Sequence, residues 1–141
     1  MAGYSSTPLV AKLGIKPDTR VAFRNAPDGF RAMLEPWPEG ATVAGGRSSA
    51  LDVIVLFVER AAVLEKQFQP AARALVPDGA LWVAWPKKAS GVTTDLTEDR
   101  VRAIGLAAGL VDVKVCAIDA TWSGLKFVVR LADRAGRTRP P

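Results

Sequence analysis

An α/β fold, three layers deep, with a mostly parallel sheet and an antiparallel pair at its C-terminal edge, is what this sequence of 141 residues predicts. Three observations carry that expectation. LDVIVLFV (51–58) and ALWVAWP (80–86) are almost continuously apolar, as strands covered on both faces are. Each is followed by a segment with helical signals, so strands and helices alternate and right-handed crossovers place helices on both sides of the sheet. VDVKVCAID and GLKFVVRL, near the C-terminus, are joined too closely for a helical crossover and must pair antiparallel.

The elements follow in order. Thr7 as cap, Pro8 at the first helical position and Gly14 as stop frame a short helix over LVAKLG. RVAFRN (20–25) reads as a strand with Val21 and Phe23 inward. Pro27 opens a second helix with Phe30, Met33 and Leu34 on one face, ended by EPWPEG with Trp37 as its packing cap. ATVAGG is a weak strand and GRSSA a polar linker. After 51–58 a helix carries Leu64, Phe68, Ala71 and Leu75 on one face, with a kink expected at Pro70. Pro77-Asp78-Gly79 reads as a turn before the strand 80–86. Thr97 caps the last long helix, Leu96 staples against Val101, and Gly109 stops it. A turn is expected around Thr121-Trp122-Ser123-Gly124, with Asp119 and Lys126 as a cross-strand ion pair. Residues 1–131 thus form a single α/β domain, and 132–141 a flexible basic tail.

Composition removes several chemistries. With no histidine and one cysteine, Cys116, there is no histidine-assisted nucleophile and no His or Cys set for zinc. Part of the net charge of +5 lies in the tail, and the remainder is spread among acids, unlike a nucleic-acid footprint. No window is long and apolar enough to span a membrane, no signal-peptide pattern opens the chain, and the cysteine count permits no internal disulfide. A cytoplasmic location is expected, with no membrane partner.

The succession of LDVIVLFV, a helix ending AL-VPDG-ALWVAW, a helix running into AAGLVDVKV and the terminal pair resembles the S-adenosylmethionine-dependent methyltransferase fold, a Rossmann-like architecture, over roughly residues 18–131. Leu75, Pro77 and Gly79 stand where that family has its leucine, proline and glycine before a strand. AGYSSTPLVAKLGIK, LWVAWPKKASG, DLTEDRVRAIGLAAGLVD, KVCAID and WSGLKFV resemble the signature stretches of a bacterial family, the domain of unknown function 3052 family. That second resemblance implies no activity.

The methyltransferase resemblance implies a cofactor site that can be tested locally. Such folds place a glycine-rich turn after the first strand and an acid after the second. Here the first turn is Asn25-Ala26-Pro27-Asp28-Gly29-Phe30, with one glycine, a proline in place of an amide donor, and a carboxylate where an anion would sit. The second strand ends in Gly45-Gly46 with no acid. S-adenosylmethionine is therefore disfavoured, and no cofactor or metal is expected.

Ligands of open α/β sheets bind beyond the carboxyl ends of the strands, where strand order reverses. The rim of that crevice is expected to include Asn25 and Asp28, the end of 51–58, and the exit Trp85-Pro86-Lys87-Lys88. Lys87 and Lys88 are candidate anion ligands, with Ser90, Thr93 and Thr94 as hydroxyl donors, set against a reading as a solvated loop. Trp82 and Trp85 face opposite sides of the strand and read as core. Trp122 could line the crevice, cover the sheet edge or meet a partner chain. Asp95 and Glu98 read as helix-start acids, Asp52 as a turn or cap residue, and Cys116 as buried. The expectation is a non-catalytic module binding a small anion or a protein partner, nucleic acid being disfavoured; the alternative is a diverged enzyme, a methyltransferase or nucleotide-using protein with its site in the same crevice.

Overall fold

The computed structural model describes residues 7–45 and 48–135. Six strands form one sheet: β1 (Arg20–Arg24), β2 (Thr42–Val43), β3 (Leu51–Phe57), β4 (Leu75–Pro86), β5 (Leu110–Ala117) and β6 (Trp122–Val129). Their order across the sheet is β2-β1-β3-β4-β6-β5. The first four are parallel, and β6 lies antiparallel to both β4 and β5. Helices α1 (Leu9–Lys12), α2 (Ala61–Arg73), α3 (Glu98–Ala107) and α4 (Leu131–Arg134) complete the secondary structure, with short 3-10 turns at Arg31–Leu34 and Lys88–Ser90. No helix among the described residues is long and apolar enough to cross a membrane.

The two faces of the sheet bury separate cores. Helices α2 and α3 pack Leu64, Phe68, Ala71 and Val101 onto Ile54, Leu56, Val83, Trp85, Leu125 and Phe127. On the opposite face α1 and the 31–34 turn pack Val10, Leu13, Phe30 and Leu34 onto Val21, Val53, Val55, Phe57 and Trp82. The alternation along 51–57 and 81–85 therefore serves both layers, which is why those strands read as unbroken apolar runs. Trp82 and Trp85 lie in opposite cores as their spacing requires, and the Trp82 indole donates to Leu13 O at 3.0 Å. That bond ties α1 to the centre of the sheet and satisfies a buried donor. Gly105 lets α3 close on the sheet: a methyl group there would collide with the Phe127 ring, itself held edge-on to Phe68 at 5.2 Å.

Several local expectations are corrected. The helix before Gly14 starts at Leu9, with Pro8 as its cap residue in an extended conformation, so Thr7 is not the cap. The segment after Pro27 makes only a 3-10 turn; Phe30 and Leu34 are buried, but Met33 points outward, 40% exposed. Gly29, in the left-handed region at φ 85°, breaks the helical path between Pro27 and Arg31. Pro77-Asp78-Gly79 is not a turn between elements, because β4 runs through it. The register with β3 jumps there, from Leu51↔Leu75 to Val53↔Ala80, so 76–79 form an enlarged bulge and Leu75 belongs to the sheet rather than to α2. Trp122, Ser123 and Gly124 lie within β6, and the hairpin connection is 118–121. Asp119 makes no ion pair with Lys126; its carboxylate accepts from the amides of Thr121 and Trp122 at 2.8 and 2.7 Å and closes that connection. Asp52 accepts from the Arg20 amide at 2.9 Å, tying the starts of β3 and β1 together. Of the expected tail, 131–134 form one helical turn, and 136–141 lie outside the described residues.

Candidate functional site

Strand order reverses between β1 and β3, since the chain leaves β1 for β2 on one side and returns to β3 on the other. The crevice expected at that switch point is occupied by the protein's own side chains. Asn25, in the left-handed region at φ 57°, turns its amide across the gap. Its Nδ2 donates to Phe57 O at 3.1 Å and to Gln67 Oε1 at 2.8 Å, joining the tip of β1 to the tip of β3 and to α2. Beneath it the ring of Phe30 stands edge-on to Phe23 at 5.2 Å and to Phe57 at 4.8 Å, and Phe57 stands edge-on to Trp122 at 5.0 Å. Phe30 and Phe57 are each 2% exposed and Trp122 9%. This row of rings packs into the core behind the turn. Trp122 is thus neither a crevice wall nor an edge cover: it packs in the core. Asp28 stands exposed on the outer side of the turn, and a shallow groove of about 370 Å³ remains on the α2 side, lined by residues that include Arg24, Asn25, Lys66 and Gln67.

The other expected residues gather at the exit of β4. A cleft of about 470 Å³ is lined by Trp85, Pro86 and Leu96 together with Lys87, Lys88, Thr94, Asp95, Thr97, Glu98 and Ser123. The 87–97 loop around it is held by its own hydrogen bonds. Lys87 N donates to Thr121 O at 2.7 Å, anchoring the exit against the hairpin. Ser90 Oγ donates to Lys87 O at 2.6 Å and accepts from Val92 N at 3.2 Å. Thr94 Oγ1 donates to Glu59 O at 2.6 Å and accepts from Leu96 N at 3.1 Å. A hydroxyl has one proton to give, so Ser90 and Thr94 have none left for a ligand. Thr93 is exposed and does not line the cleft.

The acids beside the lysines are engaged elsewhere. Asp95 Oδ1 accepts from Ala61 N at 2.8 Å, capping α2 across space. It is therefore a helix-start acid, as its composition suggests, but of α2 rather than α3. Glu98 meets Arg102 at 2.7 Å. Arg102 also reaches Asp99 at 3.1 Å and Asp112 at 2.8 Å, and this pairing holds the Asp112 carboxyl below its usual range. Neither Lys87 nor Lys88 has an ion-pair partner among the described residues. The cleft lining thus includes Trp85, Lys87, Lys88 and Thr94 from the sequence reading and adds Asp95, Leu96, Thr97, Glu98 and Ser123. Ser123 could have been found from the antiparallel pairing alone, because it sits opposite Trp85.

No protein-family model matches the chain, and no curated protein matches it in sequence. Solved structures do match in shape. An S-adenosylmethionine-dependent methyltransferase from Aquifex aeolicus superposes with a TM-score of 0.64 at 12% identity, covering 86% of this chain and 88% of that one. The chain has the methyltransferase fold. An S-adenosylmethionine-dependent O-methyltransferase from Thermotoga maritima gives 0.58 at 10% identity, over 86% of this chain and 63% of that one. Magnesium protoporphyrin IX methyltransferase from Synechocystis PCC 6803 gives 0.57 at 9% identity, over 86% and 74%. At such identities the likeness is one of architecture.

The residues at the switch point do not fit the cofactor that this fold implies. The Asn25 amide bonds across the strand tips to Phe57 O, the turn after β1 holds one glycine and a proline, and Ala44 and Gly45 follow β2 where a carboxylate would meet ribose hydroxyls.

Proposed function

We propose that this methyltransferase-fold domain is a non-catalytic module that binds a small organic anion in the cleft at the exit of β4. The observation that carries the reading is the filled switch point: the Asn25 bridge to Phe57 O and the buried Phe30 and Phe57 rings stand where a cofactor-using relative needs open space. The cleft beside it offers two ammonium groups without ion-pair partners, together with an apolar lining of Trp85, Pro86 and Leu96. Lysine holds an anion as a mobile point charge, and the apolar lining rewards a ligand with an apolar body. Asp95 and Glu98 line the same cleft as carboxylates, the first bonded to the Ala61 amide and the second sharing Arg102 with Asp99 and Asp112, so the two ammonium groups have to outweigh them.

Calorimetric titration with 3-phenylpropionate and with inorganic phosphate tests the reading. The carboxylate binds with a dissociation constant of about 1 mM or tighter, which corresponds to roughly −4 kcal/mol. Replacing both Lys87 and Lys88 with alanine abolishes the heat, and phosphate binds more weakly than the carboxylate. Unchanged binding by the double variant, or no binding of either probe to the parent protein, contradicts the proposal.

A further inference from the structure

The outer side of β5 presents a second arrangement, remote from the β4 exit in its lining. β5 is the last strand of the sheet, so one row of its backbone groups has no strand beside it. A groove of about 420 Å³ runs between this edge and α1, lined by Ala11 and Lys12 on one side and Lys114, Val115, Cys116 and Ala117 on the other. Lys114 is in register with Lys126 of β6, so both side chains lie on the α1 face. Burial, then the charges of Lys114 and Lys16, pushes the Lys126 ammonium below its usual range, which places Lys16 in the same cluster. None of these four lysines forms an ion pair among the described residues. The acid of β5, Asp112, is bound to Arg102 of α3.

Lysine on an edge strand commonly guards against strand addition, and that reading suffices for Lys114. It does not suffice for Lys126, which sits half-buried on the interior strand β6, where there is no edge to guard. Carrying an unpaired ammonium there has a desolvation cost that a bound anion would offset. A nucleic acid fits less well, because no aromatic ring among the described residues lines this groove to stack on a base. A second copy of this chain paired through β5 would set its own lysine cluster on the same face beside the first.

We propose that the outer edge of β5 takes an extended acidic polypeptide segment as an added strand, its backbone pairing with 114–117 and its carboxylates meeting Lys12, Lys114 and Lys126. Alternate residues of such a segment face the lysines, while those between lie beside Val115, 48% exposed. The pairing begins beyond the register shift between Asp112 and Lys114, where the regular ladder is interrupted.

A labelled peptide of about ten residues alternating glutamate and valine is the probe, read by fluorescence anisotropy at about 0.1 M salt. The full chain binds it saturably, and backbone amides of 114–117 gain protection from hydrogen exchange. A peptide of equal charge with proline at the valine positions, which cannot donate to a ladder, binds at least about tenfold more weakly. Lys114→Glu weakens the parent peptide by at least about tenfold, with unchanged circular dichroism. The proposal is overturned by absence of binding, by equal binding of the proline peptide, or by tighter binding of a single-stranded oligonucleotide. A dimer that buries β5 and excludes the peptide overturns it as well.

Discussion

Asn25 carries a backbone role and a side-chain role at once. Its φ of 57° lies in the region that asparagine tolerates better than most residues, and its amide bonds Phe57 O and Gln67. Asn25→Ala loses both the tolerance and the bonds and is expected to destabilise the fold by about 1–3 kcal/mol in urea unfolding. Asn25→Gly keeps the turn and loses only the side chain, so its loss is smaller; equal losses would mean that the backbone strain contributes nothing. The residue was visible in the sequence as a member of the switch-point turn. Its action as a bridge was not, because Phe57 and Gln67 lie 32 and 42 positions away and no local pattern joins them. Lys87 and Lys88 were legible because a strand's exit is set by its apolar run. The loss of Ser90 and Thr94 as donors was not, since their partners are backbone carbonyls fixed by the loop's path.

Among elements, α2 is capped from outside its own chain segment. Arg60 holds the cap position without a side-chain bond, and the Asp95 carboxylate takes the Ala61 amide instead. Asp95→Ala is expected to lower stability by about 0.5–2 kcal/mol, whereas Asp95→Asn keeps an acceptor and loses about 0.3–1 kcal/mol through its charge near the helix start. Thermal unfolding of the two variants distinguishes these outcomes. The elements β3, α2, α3 and the terminal pair were legible because an apolar run or a helical spacing of apolar residues is a property of the segment itself. The 31–34 turn and the 76–79 bulge were not. The first depends on the left-handed conformation that Gly29 adopts, and the second on how β4 registers with β3.

Across the whole molecule, the Arg102 cluster joins α3 to β5 through Glu98, Asp99 and Asp112. Asp112 has its carboxyl pKa lowered on folding, first by the Arg102 hydrogen bond. A lowered folded value contributes stability above the ordinary carboxyl value of 3.8 and loses it as the pH falls through the folded value. The difference in melting temperature between the parent protein and Asp112→Asn should therefore be constant from about pH 7 to pH 5 and shrink at about pH 3 and below. A difference independent of pH would remove the charge from the account. The layered architecture was legible because alternating strands and helices restrict the topologies open to a chain this long. The filling of the switch point was not, because a missing glycine run says which ligand contact is absent and not which side chain takes its place.

Closure of the switch point of this methyltransferase fold by Asn25, Phe30 and Phe57 has a direct consequence in solution. Amide chemical shifts of the full chain during titration with S-adenosylmethionine test it most directly. The account predicts no saturable shift in residues 23–30 and 56–59 up to about 1 mM ligand, a concentration at which even an affinity near −4 kcal/mol would register. Saturable shifts there, with a dissociation constant in the micromolar range, would contradict it.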